Sequence, residues 1–172
     1  MSAAGNPPLG EGGAHMKLTE LVVREGIVDN VLSTDKKGAL RELAEAIKTS
    51  RKPAGYKPAD VLVALMKREK MGTTGMGGGV ALPHAKVEGL TALYGAFGRS
   101  KEGVDFGAVD GEKVHLMFVL VSPPSQANEH LAALKRISAG IRLPNMTKFL
   151  KAAKGAKEVW DLLREMDETV GA

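Results

Sequence analysis

Residues 68–85 read Arg-Glu-Lys-Met-Gly-Thr-Thr-Gly-Met-Gly-Gly-Gly-Val-Ala-Leu-Pro-His-Ala. Five glycines among the eight residues 72–79 break any regular periodicity, so a helix that contains Arg68 is expected to end near Lys70. The apolar residues 80–82 predict a short strand, which Pro83 stops. Because the proline ring restricts the approach of the backbone, His84 is expected at the strand end, held rigidly and facing outward.

Apolar spacing on either side of this stretch predicts further strands and helices. The expected strands are 26–31, 80–82, 91–99 and 114–122. The expected helices are 36–50, 56–70, 129–141, 146–152 and 158–166. The order β-α-α-β-β-β-α-α-α predicts an α/β protein in which helices cover the faces of a sheet.

The composition is that of one globular domain behind an unstructured leader. The chain has 172 residues, of which 44% are hydrophobic and 26% charged, and this is enough apolar material for one core. Residues 1–15 are rich in Gly, Pro and Ala and carry almost no apolar bulk, which predicts a disordered extension or an added leader. The domain is therefore expected to span 16–172, and it shows no internal repeat.

Composition also argues against several classes of function. Without cysteine, the chain has no disulfide, no thiolate metal site and no cysteine nucleophile. The longest apolar run, 114–121, is far shorter than the ~20 residues that cross a bilayer, and the start of the chain does not resemble a secretory signal. Lys and Arg are dispersed and aromatic residues make up only 4%, which argues against nucleic-acid binding despite a net charge of +4. We therefore expect a cytoplasmic protein without membrane insertion.

Two of the four histidines are candidates for chemistry. His15 falls in the leader and His115 opens an apolar strand, so neither is expected to be functional. His84 follows the glycine-rich loop and a short strand. His130 falls in the first turn of a predicted helix, where unpaired backbone N–H groups favour an anion and keep the ring neutral near pH 7.

The residue pattern does not fit a metal site or the common hydrolase and nucleotide motifs. Two distant histidines lack an obvious third ligand, which catalytic zinc requires. No Gly-x-Ser-x-Gly elbow is present, the glycine loop lacks the Gly-Lys-Ser/Thr ending of a P-loop, and Val80 occupies the third glycine position of the dinucleotide motif. Spacing alone favours a tight structural turn. Beside a histidine, however, the loop N–H groups and the hydroxyls of Thr73 and Thr74 could cradle a phosphoryl group.

Residues 68–85 resemble the signature of phosphotransferase-system enzyme IIA domains, in the fructose/mannitol class that includes the nitrogen-regulatory enzyme IIA. The downstream pattern agrees, with Val-Asp-Phe at 104–106, Asp-Gly at 110–111, the apolar strand at 114–121, Ser-Pro at 122–123 and His-Leu at 130–131. Two departures are Gly78, where the family often has a polar or acidic residue, and 138–147, which lacks acidic residues often found there. The resemblance covers about residues 18–163 and implies a three-layer α/β/α sandwich with a small mixed β-sheet.

The resemblance also implies a phosphoryl relay. His84 is expected to accept a phosphoryl group from a phosphohistidine on the phosphocarrier HPr or a paralogue, and His130 and Arg68 are expected to stabilise it. The implied phosphate-binding loop consists of Thr73, Thr74, Gly75 and Gly77. No metal and no cofactor is required, because phosphoryl transfer depends mainly on positioning and charge neutralisation.

The sequence leaves three functions open. The chain could regulate a target protein through its phosphorylation state, or it could be a sugar-transport enzyme IIA that passes the phosphoryl group to a separate IIB chain. In the third reading it is a non-catalytic binding or regulatory module that keeps the same fold. The first two readings require HPr or an HPr-like phosphocarrier as a partner.

Overall fold

The computed structural model describes residues 16–171, and the predicted extension 1–15, with His15, lies outside them. The helices in this part of the chain are α1 (Leu18–Leu21), α2 (Lys36–Arg51), α3 (Pro58–Lys70), α4 (Ala127–Ile141), α5 (Met146–Ala152) and α6 (Ala156–Val170). The strands are β1 (Ile27–Val28), β2 (Gly75–Gly77), β3 (Val80–Ala81), β4 (His84–Lys86), β5 (Tyr94–Val104) and β6 (Val114–Ser122). None of the helices in residues 16–171 is both long and apolar enough to span a membrane.

The sheet is mixed and is built around the long strands β5 and β6. These two strands run antiparallel, and β1 joins the outer side of β5 in parallel. The other side of β6 takes two short strands one after the other, both parallel to it: β3 pairs at Leu116 and Met117, and β4 pairs at Leu120 to Ser122. The strand β2 closes this end of the sheet by pairing antiparallel with β3.

Helices cover both faces of the sheet, because successive side chains of a strand point to opposite faces. Met117 and Val119 of β6 belong to the core that packs against α2 and α3. Phe118 and Leu120 belong to the second core, which packs against α1, α4, α5 and α6. The three-layer α/β/α sandwich with a small mixed sheet is thereby confirmed.

The structure adds three short elements to the order expected from sequence, namely α1, β2 and β4. The strand β2 lies inside the stretch for which only a loop was expected, because its pairing uses backbone groups and glycine leaves no side-chain pattern. The turn between β2 and β3 has left-handed backbone at Gly77, Gly78 and Gly79, with φ of 89°, 65° and 79°. Only glycine adopts such angles without strain at three successive positions.

A buried arginine joins the sheet to the α5 layer. Arg99 of β5 is only 3% exposed, and its guanidinium donates to the carbonyl oxygens of Leu150, at 3.0 Å, and Ala153 at the end of α5. The same group pairs with the carboxylate of Asp29 and donates to its backbone carbonyl at 3.2 Å. Arg99 therefore satisfies carbonyl groups that a helix end leaves without intrahelical partners.

Candidate functional site

The strand β4 places His84 on the α4 side of the sheet. After Pro83 the chain pairs again with β6, so that His84 lies opposite Leu120 and Lys86 lies opposite Ser122. Residues paired across two strands share a face, and Leu120 belongs to the core under α4. His84 was expected at the end of a strand, but it is the first residue of β4. Its partly buried side chain faces the start of α4.

The hydrogen bond of His84 determines which nitrogen can react. Its Nδ1 lies 2.7 Å from the carbonyl oxygen of Leu82. A carbonyl only accepts, so Nδ1 carries the proton and Nε2 holds the lone pair of the neutral ring. Burial lowers the pKa of His84, and the charge of Arg68 lowers it further, while the Leu82 carbonyl and Glu69 act in the opposite direction. The ring is thus a neutral nitrogen nucleophile near pH 7.

His130 of α4 lies directly against His84. The centroids of the two rings are 5.5 Å apart and the ring planes are inclined by 57°. His130 is only 6% exposed, and its Nδ1 shares a hydrogen bond with the hydroxyl of fully buried Ser122 at the end of β6. Burial, followed by the neighbouring His84 and Lys86, lowers the pKa of His130 to about 4. Both rings are therefore neutral at physiological pH, and Ser122 fixes the orientation of one of them.

Positive groups surround this pair of rings. Arg68 lies in the last turn of α3, where its Nη1 donates to the carbonyl oxygen of Gly72 at 2.8 Å, and its charge acts on His84. Lys86 follows His84 on the same face of β4. Among residues 16–171 no side chain caps the first turn of α4, so its backbone N–H groups add the positive end of a helix dipole. The site is suited to hold an anion against a neutral nucleophile.

The two threonines of the predicted phosphate loop have different environments. The hydroxyl of buried Thr74 bonds to Glu69, which also accepts the Thr74 backbone N–H at 3.2 Å and the Lys36 ammonium at 2.9 Å. Partly buried Thr73 accepts the Gly75 N–H on its hydroxyl oxygen at 3.0 Å, and its own hydroxyl proton stays free to donate. The Leu82 N–H donates to the Thr74 carbonyl at 3.0 Å, which holds this segment beside the strand that leads to His84.

The hairpin carries the two predicted glycines away from His84. Gly75 pairs with Ala81, three residues before His84, and Gly77 pairs with Val80, four residues before it. At about 3.3 Å per strand residue, Gly77 lies about 13 Å along the sheet from the level of His84. The structure thus brings His84 and His130 together and lets the charge of Arg68 act on His84. The hydroxyl of Thr73 bonds to Gly75, and Gly75 and Gly77 form the hairpin.

The structure adds Ser122, Lys86 and Glu69, which sequence reasoning did not single out. The Ser-Pro at 122–123 belonged to the matching pattern, but a serine at the end of an apolar strand carries no sign of a histidine partner. In residues 16–171 no group of three or more His, Cys, Asp or Glu side chains is gathered as for a metal ion. Two packed imidazoles alone do not form a zinc site.

Comparison with known proteins gives a consistent match. The family described as "Phosphoenolpyruvate-dependent sugar phosphotransferase system, EIIA 2" matches residues 20–166. A "Nitrogen regulatory protein" of Bradyrhizobium diazoefficiens is 36% identical over 148 residues, which cover 86% of this chain and 95% of that protein. The "PTS system fructose-specific EIIABC component" of Bacillus subtilis is 33% identical and covers 89% of this chain, but the match takes up only 24% of that longer protein.

Solved structures show the same similarity. The crystal structure of nitrogen regulatory protein IIA-Ntr from Neisseria meningitidis superposes with a TM-score of 0.76 at 33% identity, over 84% of this chain and 97% of that one. The crystal structure of IIA mannitol from Escherichia coli superposes with a TM-score of 0.67 at 24% identity, over 81% of this chain and 96% of that one, and it supports the fold alone.

Proposed function

Since the chain belongs to the EIIA 2 family of the phosphoenolpyruvate-dependent sugar phosphotransferase system, we propose that it relays a phosphoryl group through Nε2 of His84. The donor is a phosphohistidine on HPr or an HPr-like phosphocarrier, and the output is regulatory. One observation carries the proposal: the Leu82 carbonyl holds the proton on Nδ1 and leaves Nε2 with its lone pair at an anion-favouring site.

The transfer requires no proton movement at His84. The lone pair of Nε2 forms a bond to phosphorus while the phosphorus–nitrogen bond of the donor phosphohistidine breaks, and its electron pair returns to the donor ring. The proton stays on Nδ1 throughout, donated to the carbonyl oxygen of Leu82. The protein contributes position and charge stabilisation, which dominate phosphoryl transfer in general.

His130 and Arg68 are proposed to stabilise the transferred oxygens. If the Ser122 hydroxyl donates to Nδ1 of His130, the proton of the neutral ring sits on Nε2 and can be donated to a phosphoryl oxygen. Arg68 supplies a permanent charge with several N–H donors. The N–H groups at the start of α4, which no side chain caps in residues 16–171, complete the proposed cradle.

Regulation is favoured over sugar transport by the relatives. The nitrogen regulatory protein and the IIA-Ntr structure match over almost their whole length, at 36% and 33% identity. The fructose component keeps the alternative open, in which His84 passes its phosphoryl group to a separate IIB chain. A non-catalytic module of the same fold would lack transfer altogether. Either relay is fed from phosphoenolpyruvate, and we therefore place the protein in the cytoplasm.

Labelling from phosphoenolpyruvate tests the relay. The protein is incubated with labelled phosphoenolpyruvate, enzyme I and HPr, and an acid-labile, base-stable phosphate is expected on the wild type and not on His84→Ala. An unlabelled wild type beside a labelled HPr, or a fully labelled His84→Ala, refutes the relay. Rapid loss of label to a sugar-specific IIB domain would instead assign the protein to transport.

A further inference from the structure

A groove runs between α2 and α3 on the outer side of the sandwich. It encloses about 690 Å³, and its apolar lining comes mainly from α3, with Leu62, Val63 and Met66. Val63 is 69% exposed and Met66 partly exposed, although both lie on a helix whose other face is fully packed. Apolar surface of this kind, rimmed by polar residues, is typical of a site that takes a partner.

The rim of the groove is strongly basic. Lys37 and Arg41 of α2 face Lys67 and Lys70 of α3 across it, and Glu45 is the one acidic residue that lines it. Within residues 16–171, none of these four cations forms an ion pair with a carboxylate. Like charges spaced three or four residues apart on a helix repel each other. This repulsion lowers the stability of α2 and α3 as long as no acidic group is bound in the groove.

The groove is separate from the phosphoryl site. The rings of His84 and His130 lie on the α4 side of the sheet, whereas the groove lies on the outer surface of the α2 and α3 layer. Arg68 and Glu69, which follow Lys67 in α3, turn towards Gly72 and Lys36 and do not line the groove. What binds in the groove is therefore a question independent of phosphoryl transfer.

We propose that the groove is a docking site for an acidic amphipathic helix of a partner protein. A helix that lays an apolar stripe between two others is a recurring mode of recognition, and flanking Glu or Asp side chains would meet the four cations. From Ala59 to Lys70 the groove follows α3 for about 17 Å, which accommodates about three turns of a docked helix. The recessed lining contains no aromatic residue that could anchor in a bilayer, and this favours a helix over a membrane surface.

Synthetic peptides test this proposal on the intact protein. The probe is a fluorescein-labelled helical peptide of about fifteen residues with Leu at i, i+3 and i+7 and Glu on both flanks. One control peptide replaces each Glu by Lys, and a second replaces each Leu by Ser. Anisotropy titration should show the acidic Leu peptide binding about tenfold or more tightly than either control, with the preference reduced at high salt.

Two charge-matched variants locate the binding. The first double variant, Lys67→Glu/Lys70→Glu, reverses two charges in the groove. The control double variant, Lys148→Glu/Lys154→Glu, makes the same change in net charge at exposed residues on the opposite layer. Only the first is expected to lower affinity, by about tenfold, and Val63→Ser should also lower it. Thermal unfolding confirms that each variant is folded.

Three results would overturn the proposal. The first is equal binding of all three peptides, and the second is equal binding of the acidic peptide by the two double variants. The third is tight binding to phosphatidylglycerol vesicles that Lys67→Glu/Lys70→Glu abolishes, without a preference for the acidic peptide, and this would assign the groove to a membrane surface.

Discussion

The ring of His84 packs against the ring of His130 at 5.5 Å between centroids, and neither ring carries a charge at neutral pH. Burial is the main cause that lowers the pKa of both rings, and repulsion by the neighbouring His84 lowers the pKa of His130 further. Transfer of a phosphoryl group to His84 requires its ring to be neutral, because a protonated His84 has no lone pair to attack phosphorus. The neighbouring neutral ring of His130 can donate a hydrogen bond to a phosphoryl oxygen without adding a charge. Burial and pairing thus set the protonation state on which the proposed relay depends.

The low pKa of His130 predicts that stability falls on mild acidification. Between the ordinary histidine pKa of about 6.5 and the folded value of about 4, the unfolded chain binds a proton that folded His130 does not. The free energy of unfolding should therefore decrease as pH falls through this window, by at most about 3 kcal/mol from this residue. Urea unfolding at several pH values measures the slope, which should be shallower in His130→Gln. An equal slope in the two proteins would contradict the assignment.

Removing the hydroxyl of Ser122 should slow transfer to His84. Without its hydrogen bond, His130 loses the partner that fixes its ring, and we expect Ser122→Ala to be phosphorylated about tenfold more slowly. Ser100 is the matched control, because its buried hydroxyl accepts the Gly103 N–H far from the site. Both alanine variants should lose about 1 kcal/mol of stability. Equal transfer rates in the two variants would show that the role of Ser122 is only structural.

Arg68 should affect both the rate of phosphorylation and the proton affinity of His84. Its charge lowers the pKa of His84, so Arg68→Met should raise that pKa, as measured by NMR titration of the ring protons. Phosphorylation should slow about tenfold to a hundredfold, with Arg68→Lys in between, since lysine keeps the charge without the fork of donors. Lys70→Met serves as control, because it removes an exposed cation two residues away. An unchanged His84 pKa in Arg68→Met would remove Arg68 from the site.

Sequence indicated those parts of the molecule in which residue type carries the information. The apolar run at 114–121 and the helical spacing in 36–50 predict a strand buried under helices on both faces of a sheet, and helices do lie on both. His84, His130 and Arg68 could be singled out because their chemistry suits phosphate. The strand β2 could not be predicted, since the pairing of Gly75 and Gly77 uses backbone groups alone.

Two further residues of the candidate site, Glu69 and Ser122, could not be predicted from the sequence, for different reasons. Glu69 stands in a run of charged residues at the end of α3, which reads as a solvated helix end, yet its carboxylate is buried against Thr74. Ser122 makes its contact with His130 across a turn of the chain that only the folded structure shows. Spacing in the sequence does not reveal such contacts, because they depend on how two elements pack.

The buried hydrogen bonds of Arg99 to the end of α5 predict a large loss of stability when Arg99 is substituted. Arg99→Met would leave the carbonyl groups of Leu150 and Ala153 buried without their donor, and we expect a loss of about 3 kcal/mol in the free energy of unfolding. Lys101→Met is the control, since Lys101 lies on the same strand and is exposed. Chemical denaturation measures both. A difference below about 1 kcal/mol between the variants would mean that α5 finds other partners for its last carbonyls.

Glu69 is predicted to position the threonine segment through its bonds to Lys36 and Thr74. Glu69→Gln weakens the ion pair with Lys36 and places an amide where Thr74 donates, so we expect a loss of about 2 kcal/mol in stability. Lys36→Met should cost a similar amount, and the double variant should lose less than the sum, because the two residues share one interaction. Glu102→Gln, at an exposed position, is the control.

The same substitution separates a positioning role for Glu69 from simple stabilisation. Its carboxylate raises the pKa of His84, so the His84 pKa should fall further in Glu69→Gln. Displacement of Thr73 and Thr74 should also slow phosphorylation of His84 at temperatures where the variant is fully folded. A variant that loses stability but keeps both the wild-type His84 pKa and the wild-type rate would restrict Glu69 to holding α2, α3 and the hairpin together.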